Sequence, residues 1–533
     1  MKRATIVQGV GAWAASALLF LTTGCGGGQG LAGTAQSALP GGSNAGSNVT
    51  GLEASAQAFL ARSGFVGLAS VSDRAIGNQR FLVFHSRADL VAQDTNGRDD
   101  IYLRDLRTGA LSLVSVASDG TLGDGPSTQA SISADGRFVA FRSAATNLVA
   151  GDSNSTEDIF LRDLIEKTTA RVSLSDGGQQ SNGASLTPAV SNGGQFVVFA
   201  SQASNLVGSD NNGLQDVFVR DVVNATTTLI SSNVARTDSA NGSSWDPAIT
   251  PDGSFIAFAS EALNVVGGLN GQRHIIRIER ANLANRDLVS QSASAAQADG
   301  PCYEPSLSAD GNRVAFFTLA SNLATTTDGN GLFDVYLRDL DQNTTQCLSL
   351  NQGSLPGNGH SGFPSLSSDG SVVAFGSLAS DLVASDSNGV FDVFARDGAV
   401  TTRVSVDSSG SEGNVDSDLP AISGDGRLVA FRSAATNLHP ADTTGDDDIF
   451  LRDRSKPLTS LCSPMCRFPG GFGGMIGLGD RAAARAYHTS RALKSVAAGD
   501  LNGDGFTDLV AVTQEGSTSG DIAVLFRTDV GEY

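Results

Sequence analysis

Charge is scarce in this chain, and positive charge scarcest of all. Only 17% of its 533 residues are charged, and 35 Lys and Arg stand against 55 Asp and Glu, a formal charge of -20. Binding to nucleic acid or anionic lipid through a basic face is excluded, because both demand an excess of Lys and Arg. The shortage of charge also argues against long solvated helices. Past the amino terminus no segment approaches the ~18 consecutive apolar residues of a spanning helix. There is no G-x-S-x-G nucleophile elbow, no H-E-x-x-H metal motif and no appended α/β-hydrolase pattern. The five histidines are scattered. Away from His274, His85, His360, His439 and His488 read as packing or surface residues. The expectation is a chain without catalysis.

What the chain has instead is glycine, 63 residues of it, with 40% hydrophobic residues. Many short strands joined by tight turns fit that balance, and the fold class is all-β. The first residues, MKRATIVQGVGAWAASALLFLTTGC, carry two positive charges and an apolar run closing in small residues, the pattern of an export signal. Its end, Thr22-Thr23-Gly24-Cys25, resembles a bacterial lipobox, with Leu21 one position earlier than usual and Thr22 in its place. That resemblance implies a lipoprotein with a lipidated Cys25, held in the bacterial cell envelope by its lipid alone, or secreted if Cys25 is unmodified. Residues 26–64 open with a Gly/Ser/Ala-rich run that reads as a flexible tether. The close pair Cys462 and Cys466 suits a local disulfide in an oxidising compartment. Cys302 and Cys347 share one repeat and are candidates to pair.

The dominant signal is a repeat. DTNGRDDIYLRD from Asp94 returns as DSNSTEDIFLRD from Asp152, DNNGLQDVFVRD from Asp210, DGNGLFDVYLRD from Asp328, DSNGVFDVFARD from Asp386 and DTTGDDDIFLRD from Asp442. Aligned on Asp100, Asp158, Asp216, His274, Asp334, Asp392 and Asp448, the period is about 58 residues and the units number seven. A second anchor, SADGRFVAF at Ser133 and its relatives, keeps the same phase. Each unit reads as four short strands: one ending near Ile132, then RFVAFRS, DIFLRDL and ARVSLS. Both faces of strands such as FVAF are apolar, so no unit folds alone and neighbours must cover it. These residues resemble the WD-repeat-like propellers of the TolB type, whose blades carry S-x-D-G-x-x-[IV]-A-F followed by D-[IV]-[FY]. The resemblance implies a seven-bladed propeller over residues 65–460 and leaves the ligand open.

The loop between second and third strands emerges on the face that also carries the link to the next blade, so the repeated acids share one face. The candidates are Asp94, Asn96 and Asp100; Asp152, Asn154 and Asp158; Asp210, Asn212 and Asp216; Asp328, Asn330 and Asp334; Asp386, Asn388 and Asp392; and Asp442 with Asp448. Oxygens converging in a Gly-bent loop suit weak calcium binding. The same residues also stabilise turns, or pair with a strand arginine such as Arg104, Arg162 or Arg220, and a signal repeated in every blade first explains the blade. Blade four breaks the rule: Gly268 and His274 replace the acids, and Arg273, Arg277 and Arg280 appear with Trp245 and Tyr303 nearby. Such a break can form an asymmetric site for an anionic ligand or a protein partner; simple decay of the repeat is the competing account.

Residues 461–490 read as a linker. Beyond them, VAAGDLNGDGFTDLVAV places Asp500, Asn502, Asp504, the Phe506 carbonyl and Asp508 at calcium-loop spacing. It is not an EF-hand, because its twelfth position is Ala511. Residues 491–533 resemble a single FG-GAP repeat of the integrin type, which implies bound calcium. The functional expectation is an exported, monomeric binding platform for a protein or glycan, with a carbohydrate-active or hydrolytic enzyme and a calcium-dependent adhesin as alternatives.

Overall fold

The computed structural model describes residues 70–71, 81–325, 328–440, 442, 445–455, 463–464, 492–499, 508–515 and 519–525. The chain divides into two units, residues 1–472 and 473–533. The first holds seven four-stranded antiparallel sheets, each made of four strands consecutive in sequence. This is the expected seven-bladed all-β propeller.

Blade two shows how the repeat builds a sheet. Its strands are Ser127–Ile132, Phe138–Ser143, Asp158–Asp163 and Thr168–Arg171. The turn after the first strand is fixed by Asp135, which accepts hydrogen bonds from Ser133 Oγ at 2.5 Å and the Arg137 amide at 3.1 Å. Gly136 supplies the left-handed φ of 72° that the turn requires. The fourth strand is TTAR rather than the expected ARVSLS. The reason is local: Ser173 turns inward, accepting the Ile159 amide and donating to Asp158, and the chain leaves the sheet in a loop bridged between Leu174 and Gln180.

The apolar residues on both sheet faces are buried between blades. Val83, Ile101 and Val114 of blade one form one cluster with Val139, Phe141 and Phe160 of blade two. Similar mixed clusters join the other neighbours, and Leu82, Phe84 and Tyr102 pack with Ala430 and Ile449 of blade seven, which closes the ring. Each fully buried aromatic contributes about 1.5–3 kcal/mol. The first strands of adjacent blades are neighbours around the axis, blade one meeting blade seven. Six of them carry a register shift, and the residue at their third position has a positive φ: Gln129, Thr187, Asp246, Glu304, Phe363 and Leu419.

The second unit contains a three-stranded antiparallel sheet of Ala492–Gly499, Asp508–Glu515 and Ser519–Leu525 in chain order.

Candidate functional site at blades four and five

The repeated acids open the third strands, as their alignment required, but they are buried rather than spread over a solvated face. Asp100, Asp158, Asp216, Asp334 and Asp392 are wholly buried. Asp158 accepts hydrogen bonds from Ser173 Oγ at 2.5 Å, Ser181 Oγ at 2.9 Å and Asn154 Nδ2 at 2.8 Å, and Asn154 also donates to the Ser181 carbonyl at 3.0 Å. The acid and the amide together tie the loop to the link that leads to the next blade. The same lock recurs at Asn96/Asp100, Asn212/Asp216, Asn330/Asp334 and Asn388/Asp392. Burial pushes the carboxyl of Asp100 up to about 6 and those of Asp216 and Asp334 up to about 7.

Arg162 and Arg220 do not pair with these acids. Arg162 donates instead to the Val116 and Ala117 carbonyls and to Thr169 Oγ1, and Arg220 does the same to Leu174, Ser175 and Thr227. They clamp the end of the preceding blade. In blade seven, Asp442 and Asp448 are likewise buried.

Blade four gathers some of its irregular residues and separates others. The Arg273 guanidinium lies between two aromatic rings, 4.2 Å from the Trp245 centroid and 4.7 Å from that of Tyr303, and pairs with Glu261 at 2.7 Å. Arg277 and Arg280 belong elsewhere: Arg277 pairs with Asp287 at 2.7 Å over Phe255, and Arg280 bonds the Gly253 carbonyl over Phe196. His274 is buried in place of the acid, with Nδ1 2.8 Å from Ser290 Oγ and Nε2 2.8 Å from Asn270 Oδ1. Because the amide oxygen can only accept, Nε2 carries the proton and Nδ1 accepts from the serine. Burial lowers its pKa to about 4.

The residues missed in the sequence are Asp246 and Glu304, next in the chain to Trp245 and Tyr303. They occupy the same left-handed position on the first strands of adjacent blades, with φ of 52° and 46°. Both are half-buried, and neither carboxylate makes a hydrogen bond or ion pair with a described residue. Burial raises both carboxyls; Asp246 raises Glu304 further, and Arg273 pulls Asp246 back. Aligning the six first strands STQASI, SLTPAV, SWDPAI, CYEPSL, SGFPSL and SDLPAI would have found them. Ser recurs at their first position and Pro at their fourth while the third varies, and among these six only blades four and five put an acid third.

The site therefore combines a compensated arginine, stacked between two rings, with two neighbouring carboxyl groups, both raised by burial, that make no hydrogen bond with a described residue. On the apolar side Tyr303 stacks on Phe317 at 5.2 Å and meets Phe333 edge-on at 5.6 Å. A separate cavity of about 440 Å³ lies between blades six and seven, lined in part by Val390, Asp418, Arg432 and Asp447. Its charges answer one another, with Arg432 2.6 Å from Asp418 and 3.7 Å from Asp447.

Cys302 and Cys347 do not pair. Both are free thiols buried in one apolar cluster. Cys25, Cys462 and Cys466 lie outside the described residues, as do Asp500, Asn502, Asp504 and Phe506; Asp508 opens the second strand of the small sheet. Among the described residues no three His, Cys, Asp or Glu side chains are grouped to hold a metal ion.

Residues 494–525 match the FG-GAP repeat family. No curated protein matches the chain. Among solved structures it is similar to the β-propeller domain of the Trilobed protease from Pyrococcus furiosus, with 11% identity, a TM-score of 0.44, and 76% of this chain and 98% of that one covered. It is similar also to TolB from Acinetobacter baumannii, at 14% identity and a TM-score of 0.35, covering 74% of this chain and 79% of that one. An oligogalacturonate lyase in complex with manganese matches at 14% identity and a TM-score of 0.42, covering 73% of this chain and 96% of that one. Identities this low describe the fold alone. The expectation of a chain without catalysis is not sustained: the propellers similar to it include those of a protease and a lyase, at identities that show a shared fold and leave catalysis open. Absence of familiar nucleophile and metal motifs does not exclude catalysis in a fold whose sites are built from residues on separate blades.

Proposed function

We propose that the chain is an exported, lipid-anchored recognition protein that binds a glycan or protein partner at the inner strands of blades four and five, with calcium in the carboxyl-terminal loop. The observation that carries this reading is the pair Asp246 and Glu304, without partners of their own beside the Trp245–Arg273–Tyr303 stack. Carboxylates kept half-buried and unpaired are costly unless something supplies donors. Sugar hydroxyls, or the amines and hydroxyls of a protein segment, have that chemistry. Arg273 is already answered by Glu261, so the polarity of the site favours donors over an anion.

A labelled full-length chain applied to an array of neutral and amino-bearing oligosaccharides tests it. Binding is expected to fall at least tenfold in Asp246→Asn/Glu304→Gln; equal binding by that variant removes the site from the reading.

The same carboxylates favour a second reading. Two acids with separated protonation can serve as acid and base on a glycan. Release of new reducing ends from a bound oligosaccharide, lost in Glu304→Gln, would distinguish turnover from recognition.

A further inference from the structure

Blade-by-blade comparison of the buried acid pairs shows what answers their charge. In blade two, Arg171 Nη1 lies 3.0 Å from Asp152 and 3.5 Å from Asp158. In blade six, Arg403 Nη1 lies 3.4 Å from Asp386 and 3.3 Å from Asp392. Both arginines close the fourth strand, opposite Phe160 and Phe394. Blades one and five use another device: the hydroxyls of Tyr102 and Tyr336, on the third strand, donate to Asp94 and Asp328. Blade four has lost both acids and has neither device, with Ile276 and Leu288 at the two positions.

Blade three keeps both acids and has neither device. Leu229 stands where the arginines stand, and Phe218 where the tyrosines stand. Asp210 is only 5% exposed, yet neither of its carboxylate oxygens makes a hydrogen bond. Burial raises its pKa and Asp238 adds to the rise, while Ser239 and the Asn212 amide nearby pull the other way; no cation is among the groups acting on it. Asp216 feels both Asp210 and Asp238. A buried carboxylate left this way is strongly destabilising unless a positive group completes it.

We propose that blade three binds a calcium ion between Asp210 and Asp216, in the place that an arginine side chain takes in blades two and six. Two carboxylates leave the rest of the shell to backbone carbonyls and water, which suits a hard cation with a flexible oxygen shell. Binding in the range of about 0.1–1 mM is expected, the range of extracellular modules. The proposal is independent of the reading at blades four and five, whose variants are expected to leave the calcium count unchanged.

Equilibrium dialysis of the full-length chain against radioactive calcium chloride at pH 8 gives the count. Wild type is expected to hold one equivalent more at saturation than Asp210→Asn and one more than Leu229→Arg, which supplies the guanidinium of blades two and six. The Leu229→Arg variant places Arg where two sister blades already accommodate it, so the test survives if Asp210→Asn does not fold. On unaltered protein, crystals soaked in terbium chloride are expected to show an anomalous peak between Asp210 and Asp216 and none between Asp152 and Asp158. Equal calcium counts in the three proteins, or a soak without a peak at Asp210, would overturn the proposal, as would relief of the charge by a proton alone.

Discussion

Tyr336 donates its hydroxyl to Asp328 at 2.8 Å, a bond between a third-strand ring and the loop that leads into that strand. The acid is 5% exposed and the tyrosine is fully buried, so the bond cannot be exchanged for one to water. Tyr336→Phe keeps the ring and leaves a buried oxygen without its donor. A loss of about 1–3 kcal/mol in urea unfolding is expected. A midpoint unchanged from wild type would show that the hydroxyl contributes nothing.

Two arginines separate buried from exposed pairing. Arg403, with a side chain 6% exposed, answers Asp386, Asp392 and Glu412, the last at 2.7 Å. Arg403→Met strands these acids and is expected to cost about 3–5 kcal/mol. Arg137 holds Asp163 at 2.6 Å but is 39% exposed, and Arg137→Ala is expected to leave the unfolding midpoint nearly unchanged. Denaturant unfolding of the two variants side by side measures the contrast.

His274 sets a pH dependence. Its folded pKa of about 4 lies below the ordinary value of 6.5, so the unfolded chain takes up the proton first on acidification. Stability from this residue is therefore present above pH 6.5, falls between about 6.5 and 4, and is lost below that. Buried acids such as Asp334, raised to about 7, act with the opposite sign, gaining stability as pH falls from about 7 towards 3.8. The comparison must be with His274→Gln: wild type is expected to lose roughly 2–3 kcal/mol more than the variant from pH 7 to pH 4. Parallel stability curves would contradict the assignment.

The thiols make a chemical prediction. Burial pushes Cys302 up to about 12 and raises Cys347 also, so neither presents a thiolate at neutral pH. Peptide mapping after iodoacetamide treatment of the folded chain is expected to find both unmodified, and both alkylated after denaturation. Labelling of Cys302 in the folded chain would show that its pocket opens.

Period and alternation made the blades legible, because a structural requirement repeated seven times is written seven times. The positions of Asp100, Asp158 and Asp216 at the head of a strand were readable for that reason. Their burial was not: an Asp in a polar loop looks solvated until Ser173 and Asn154 are seen closing over it. Arg171 and Arg403 escaped notice because they partner acids of their own blade across a turn, while the arginine inside the repeated phrase, Arg162, serves the neighbouring blade. At blade four the sequence pointed to Trp245, Arg273 and Tyr303, which do converge, but also to Arg277 and Arg280, which a six-residue strand carries away from them. Asp246 and Glu304 went unread because nothing in a single strand marks them; only alignment between blades does.

The account turns on a division of labour, in which repeated residues hold the ring and unrepeated ones do the recognising. The most direct measurement is the affinity of a glycan found on the array for three proteins: wild type, Asp246→Asn/Glu304→Gln and Tyr336→Phe. The expected result is at least tenfold weaker binding with little change in unfolding midpoint for the double variant, and the reverse for Tyr336→Phe. Binding that follows stability in both variants would contradict it.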